Sequence, residues 1–134
     1  MSYTYYHGSQ AHITDLSASN DICLVDDPDT ATDYAQREYD GGHLHTIAVD
    51  QSIEIADEDD LRRATTQVLP DFDFHFMPLY RAADDHRVRE ALAAAGYDAV
   101  EYSDQTADGT GEHECLRVWN TALLTIKTTE EITQ

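Results

Sequence analysis

The run Ala95-Gly96-Tyr97-Asp98-Ala99-Val100-Glu101-Tyr102 marks a helix handing over to a strand. Upstream of it, Asp84 or Asp85 is placed to cap a helix that carries Val88, Leu92 and Ala95 on one face. Gly96 ends that helix, because glycine accepts the left-handed turn that follows a last helical residue. The residues Tyr97 to Tyr102 are rich in aromatic and β-branched types and predict a strand.

Working outward, the same mixture recurs without a regular alternation. Thr4 to His7 predicts a short strand ended by Gly8-Ser9, and Ile22 to Val25 a second. Asp27-Pro28 starts a helix, with Asp27 as cap, Pro28 at the first helical position, and Ala31, Tyr34 and Ala35 on one face. Gly41-Gly42 interrupts. His43 to Val49 predicts a strand with Leu44, Thr46 and Ala48 on one side and His43, His45, Ile47 and Val49 on the other. Ile53 to Ile55 predicts a short strand. The acids Asp57 to Asp60 open a helix through Leu61 and Val68, which suits the helix dipole. Asp71-Phe72-Asp73-Phe74-His75-Phe76 alternates strictly, as a strand or as a loop pressing three rings into the core. Thr106 to Gly111 predicts a loop, Glu112 to Trp119 a strand, and Leu123 to Lys127 a last strand. Strands and helices mixed without βαβ order predict an α+β domain over residues 1–134 with a largely antiparallel sheet.

Composition limits the partners. The 134 residues carry 27 acids against 8 bases, a net charge of −19, and Lys127 is the single lysine. Phosphate contacts need Lys and Arg, so direct nucleic-acid or anionic-membrane binding is not expected. Two readings of the charge stand: a surface suited to a high-salt cytoplasm, where screening relieves self-repulsion, or mimicry of nucleic acid against a basic partner. The lack of an apolar run near the roughly 20 residues of a membrane span and of a cationic, apolar leader predicts a cytoplasmic protein. Cys23 and Cys115 sit in apolar stretches and read as buried thiols rather than a disulfide. His43 and His45 share a strand face at a spacing that can bind metal, but no companion cysteine or carboxylate stands at ligand spacing, so no metal site is expected.

Tyr6-His7-Gly8-Ser9, the run ending Asp33-Tyr34-Ala35, His45-Thr46-Ile47-Ala48-Val49-Asp50, Ala95 to Val100, and Glu112 to Asn120 occur in one order. In that order they resemble a small mono-ADP-ribosyltransferase, of the kind found in phage polyvalent proteins and in ADP-ribosylating anti-CRISPR proteins. The resemblance implies two small, mostly antiparallel sheets with flanking helices around an NAD cleft. It implies NAD as substrate and a protein target, such as a CRISPR effector subunit in the cytoplasm of a phage host.

Such a transfer breaks the nicotinamide–ribose bond through a ribosyl cation. The site needs a group for the ribose, an aromatic face, and a carboxylate to stabilise positive charge. By the resemblance, Tyr6, His7, Gly8 and Ser9 form the NAD grip, with His7 on a ribose hydroxyl and Gly8 admitting the nicotinamide amide. Tyr34 is the nicotinamide-side aromatic. Glu114, in step with Leu116 and Val118, is the closing-strand carboxylate, and Asp104 competes for that role. Relatives carry an aromatic in the second strand where this chain has Ile22-Cys23-Leu24, so the aromatic wall falls to Tyr34, Tyr39 or Tyr102. Arg37 and Arg117 are the best-placed cations to relieve the pyrophosphate's repulsion. The alternative of another class is an acidic, nucleic-acid-mimicking protein that blocks a basic partner without catalysis.

Overall fold

The computed structural model describes residues 2–9, 22–36, 42–77, 79–105 and 112–132. Among them run β1 (Ser2–Ser9), β2 (Ile22–Val25), α1 (Pro28–Ala35), β3 (His43–Asp50), β4 (Ile55–Ala56), α2 (Glu58–Val68), α3 (Leu79–Asp84), α4 (His86–Ala94), β5 (Ala99–Gln105), β6 (Glu112–Val118) and β7 (Leu124–Glu131). The mixed α+β class is as expected. The expected two sheets appear as one seven-stranded sheet in the order β4-β5-β6-β2-β1-β3-β7. Only the short β4–β5 pair is parallel.

That sheet is nearly divided. β1 and β3 pair over eight residues, from Ser2↔Asp50 to Ser9↔His43. β1 and β2 meet, among the described residues, at Tyr6↔Val25 alone. A four-stranded half and a three-stranded half therefore share one seam.

The two faces of the sheet bury different cores. On one face, Val25, Val100, Tyr102 and Cys115 pack with Ala31, Leu61, Ala64, Ala82, Ala83, Val88 and Leu92 of the helices. On the other, Ile22, Leu24, Ile47, Val49, Ala99, Leu116, Val118 and Leu124 form a second cluster that includes no residue of α1–α4. Leu24, Ile47, Val49, Leu116 and Val118 are nonetheless fully buried. Strands of both halves contribute to it, with Leu24, Leu116 and Val118 from one and Ile47, Val49 and Leu124 from the other.

The local signals explain most elements. Asp27 accepts from the Asp29 backbone N–H at 3.1 Å and from the Thr30 hydroxyl at 2.9 Å, which starts α1. Asp57 and Asp60 form a reciprocal capping box on α2. Asp85 caps α4 through the Arg87 N–H at 2.9 Å, and Gly96 follows with φ +101°. One expectation needs correction and one open choice is decided. Ile53 belongs to a turn, and the short strand is Ile55–Ala56. Asp71 to Phe76 is a turn rather than a strand: the Asp73 carbonyl accepts from the N–H groups of Phe76 and Met77, and its carboxylate from His75 N–H. Phe72 alone of the three rings packs against the core, and Phe76 is 81% exposed. Helix α3 follows this turn, where no helix was expected.

Charge weighs against this fold. Among the described residues, Arg62, Arg63, Arg87 and Arg117 stand in ion pairs, which leaves most of the 27 acids without a cationic partner in a chain of 8 bases. Self-repulsion therefore destabilises the native state at low ionic strength. The melting temperature is expected to rise as salt goes from about 0.01 M to about 1 M, where the Debye length falls from about 30 to about 3 Å. A melting temperature flat across that range, read by circular dichroism, would mean the acids are too dispersed to repel.

Candidate functional site

Alternation on the strands sorts the candidate residues. His7 lies opposite His45, and Tyr6 opposite Thr46. His7 therefore shares the helix-free face with Ile47, while Tyr6 turns to the helix side and packs against that core. Gly8 lies on the helix side too. A Cβ there would stand 1.7 Å from the Ala31 carbonyl oxygen, so the missing side chain is what lets α1 lie on β1.

His7 is held where the sheet parts. Its Nδ1 lies 2.8 Å from the Cys23 carbonyl oxygen across the seam. A carbonyl only accepts, so Nδ1 carries the proton. Burial lowers the His7 pKa and outweighs the opposing pull of that hydrogen bond. The ring is therefore neutral around pH 7, with Nε2 as an acceptor. His45, 1% exposed, stacks 6.2 Å from it between centroids. The Ser9 hydroxyl stands 2.9 Å from His45 Nε2, and the Thr129 hydroxyl 3.0 Å from Nδ1. Ser9 thus fixes the imidazole on which His7 rests. With His45 so engaged, the His43–His45 pair is a stacked pair at 6.3 Å, and no group of three metal-ligating side chains occurs among the described residues.

The carboxylates gather on the same face. Ser103 lies opposite Glu114, and Glu101 opposite Leu116. A cleft of about 490 Å³, within the usual size of small-molecule sites, is lined by Ile55, Ala56, Asp57, Glu58, Asp59, Arg62, Glu101, Ser103 and Glu114. Glu114 accepts from the Ser103 hydroxyl at 3.0 Å, and Glu58 from the Ser103 backbone N–H at 2.9 Å. Burial raises the Glu101 pKa, and the charges of Glu114 and Asp26 raise it further. Burial also raises the Tyr5 pKa, with Glu101, Asp26 and Glu114 adding to it. Tyr5, two residues from His7 on the same strand face, lies near these acids.

The cleft brings together Glu114 with Glu101 and Ser103; His7 is not among its lining residues. The side chains of Tyr34 and Asp104 lie outside the described part, as do Tyr39 and Arg37 entirely; Asp104 pairs with His113, one step from Ser103↔Glu114. Two expectations are corrected. Tyr102 is 1% exposed in the helix-side core and cannot wall this cleft. Arg117 sits on that same side, paired with Asp84, and offers no cation here. Cys23 and Cys115 are in no disulfide.

Sequence reasoning passed over Tyr5, Asp26, Glu58, Glu101 and Ser103. Glu101 was within reach, since it alternates with Val100 and Tyr102 just as Glu114 alternates with Cys115. No family model, curated protein or solved structure matches this chain.

Proposed function

We propose that this protein is an NAD-dependent mono-ADP-ribosyltransferase acting on a protein target. The observation that carries the reading is the cleft in which Glu101 and Glu114 face each other beside Ser103, with Tyr5 near both charges and a neutral His7 on the same face of the sheet. His7 Nε2 accepts from a ribose hydroxyl. Nicotinamide leaves C1′ of the ribose with the electron pair of the broken bond. Glu114 stabilises the ribosyl cation, and the acceptor's lone pair closes on C1′. Glu101, whose pKa burial and the neighbouring charges raise, takes the acceptor's proton. Five carboxylates against one arginine in the lining favour the cationic nicotinamide–ribose end of NAD and disfavour its pyrophosphate. The pyrophosphate therefore lies outside this cleft.

One observation favours a second reading, the acidic blocker of a basic partner: the same five carboxylates in a chain of net charge −19. Incubation with biotin-labelled NAD and a cell lysate separates the two. A transferase labels protein; a blocker ignores NAD. A folded His7→Ala protein is expected to bind NAD up to about tenfold more weakly, the effect of losing one neutral hydrogen bond worth about 0.5–1.5 kcal/mol. Calorimetry giving the wild-type affinity would remove His7 from the site.

A further inference from the structure

Between α2 and α3 the chain divides its apolar residues between two directions. Leu69, Phe72 and Leu79 pack inward on the helix-side core. Phe74, Phe76, Met77 and Tyr80 point out, at 37, 81, 39 and 36% exposure. The inward three anchor the segment, and Phe76, the most exposed of the outward four, contributes little to its stability. The display is ordered. Phe74 lies 4.9 Å from Phe72, His75 meets Phe76 edge-on at 4.8 Å, and Asp73 ties the turn through three backbone N–H groups. Exposed carboxylates of Asp71 and Asp73 lie between the rings along the chain, and the nearest cations in sequence are Arg63 upstream and Arg81 next to Tyr80.

We propose that this turn is a docking surface for a protein partner whose matching face is an apolar notch framed by Lys and Arg. Apolar groups exposed together at one place mark interaction sites, and aromatic anchors inside a polar rim are the usual energetic centre of an interface. The charge decides what kind of partner fits. A like-charged surface is repelled by the acidic rim, and a second copy at −19 brings the same acids against themselves. Nucleic acid and anionic membrane are repelled in the same way. A basic protein face is attracted and then held by burial of the rings. The surface lies on residues 69–77 and the start of α3 and shares no residue with the cleft, so it stands whether or not the cleft handles NAD.

The test is binding of a fluorescent amphipathic peptide of leucine and lysine, followed by anisotropy without NAD. Controls are a leucine–glutamate peptide and an all-lysine peptide. Phe76→Ser, at a position that contributes little to the core, is expected to bind the leucine–lysine peptide about tenfold or more weakly, with an unchanged circular dichroism spectrum. Asp71→Lys is expected to weaken it several-fold, with the difference vanishing in high salt. Three results would each overturn the proposal: equal affinity of wild type and Phe76→Ser, an all-lysine peptide binding as tightly as the leucine–lysine one, or a dimer in sedimentation that Phe76→Ser dissolves. The last would give the surface to a second copy of the chain.

Discussion

A Glu114→Gln protein is expected to bind NAD as the wild type does and to lose transfer by about 10²–10³ in rate. Glutamine keeps the side chain's length and its hydrogen bond from the Ser103 hydroxyl. It removes only the charge. A charge that matters at a developing ribosyl cation acts on the chemical step and leaves ground-state binding alone, and one preorganised electrostatic contact of this kind is typically worth about 10²–10³ in rate. Glu101→Gln, which removes the proposed proton acceptor, is expected to cost less, about 10²-fold. Asp104→Asn is the control. If it abolishes labelling while Glu114→Gln stays active, Asp104 holds the role.

The same substitution carries a readout that needs no turnover. Glu114 is one of the charges that hold the Glu101 pKa above the usual carboxylate range, second to burial itself. In Glu114→Gln the carboxyl-carbon NMR titration of Glu101 should move to lower pH while remaining above an unperturbed glutamate. The sign follows from linkage. A raised native pKa stabilises the fold below that pKa and loses this contribution as pH rises through it. An unmoved titration would mean that the two carboxylates do not face each other.

Gly8→Ala is expected to lower the melting temperature by about 10 °C. In an unconstrained strand this substitution stabilises by about 0.4–1 kcal/mol, because alanine has fewer unfolded conformations to lose. Here the new methyl would stand 1.7 Å from the Ala31 carbonyl oxygen and 3.1 Å from the Ala35 Cβ. The obstructing atom is backbone, so α1 must move as a body. Forced overpacking costs about 1–3 kcal/mol and sometimes more, at roughly 4 °C per kcal/mol for a domain of this size. Thermal unfolding decides it by sign alone: a stabilised Gly8→Ala protein would mean that α1 does not rest on β1.

Much of this was legible in the chain. Capping at Asp27, the acidic opening of α2 at Asp57 to Asp60, a cap at Asp84 or Asp85, the stop at Gly96, and the alternation of His43 to Val49 each depend on neighbours within a few residues, and local chemistry dictates them. The Asp71 to Phe76 alternation left strand and loop both open, because period-two spacing reads the same in a strand and in a turn that points rings in turn inward and outward; Asp73's bonds to three N–H groups choose the turn. The site was less legible for a different reason. Which face of β1 carries His7 follows from alternation, but what that face meets depends on strands far apart in sequence, and no short stretch encodes that. Glu101 reads as an ordinary solvent-facing acid until β6 sets Glu114 beside it. Arg117 reads as a usable cation until α3 supplies Asp84.

Among the described residues one ladder pair, Tyr6↔Val25, joins β2 to β1, while β1 and β3 pair over eight. The weakest step in the hydrogen-bonded ladder is therefore bridged by side chains: Leu24 and Leu116 from one half and Ile47 and Val49 from the other share one buried cluster. Trading methyl groups in that cluster would loosen one half of the sheet against the other without changing a residue that lines the cleft.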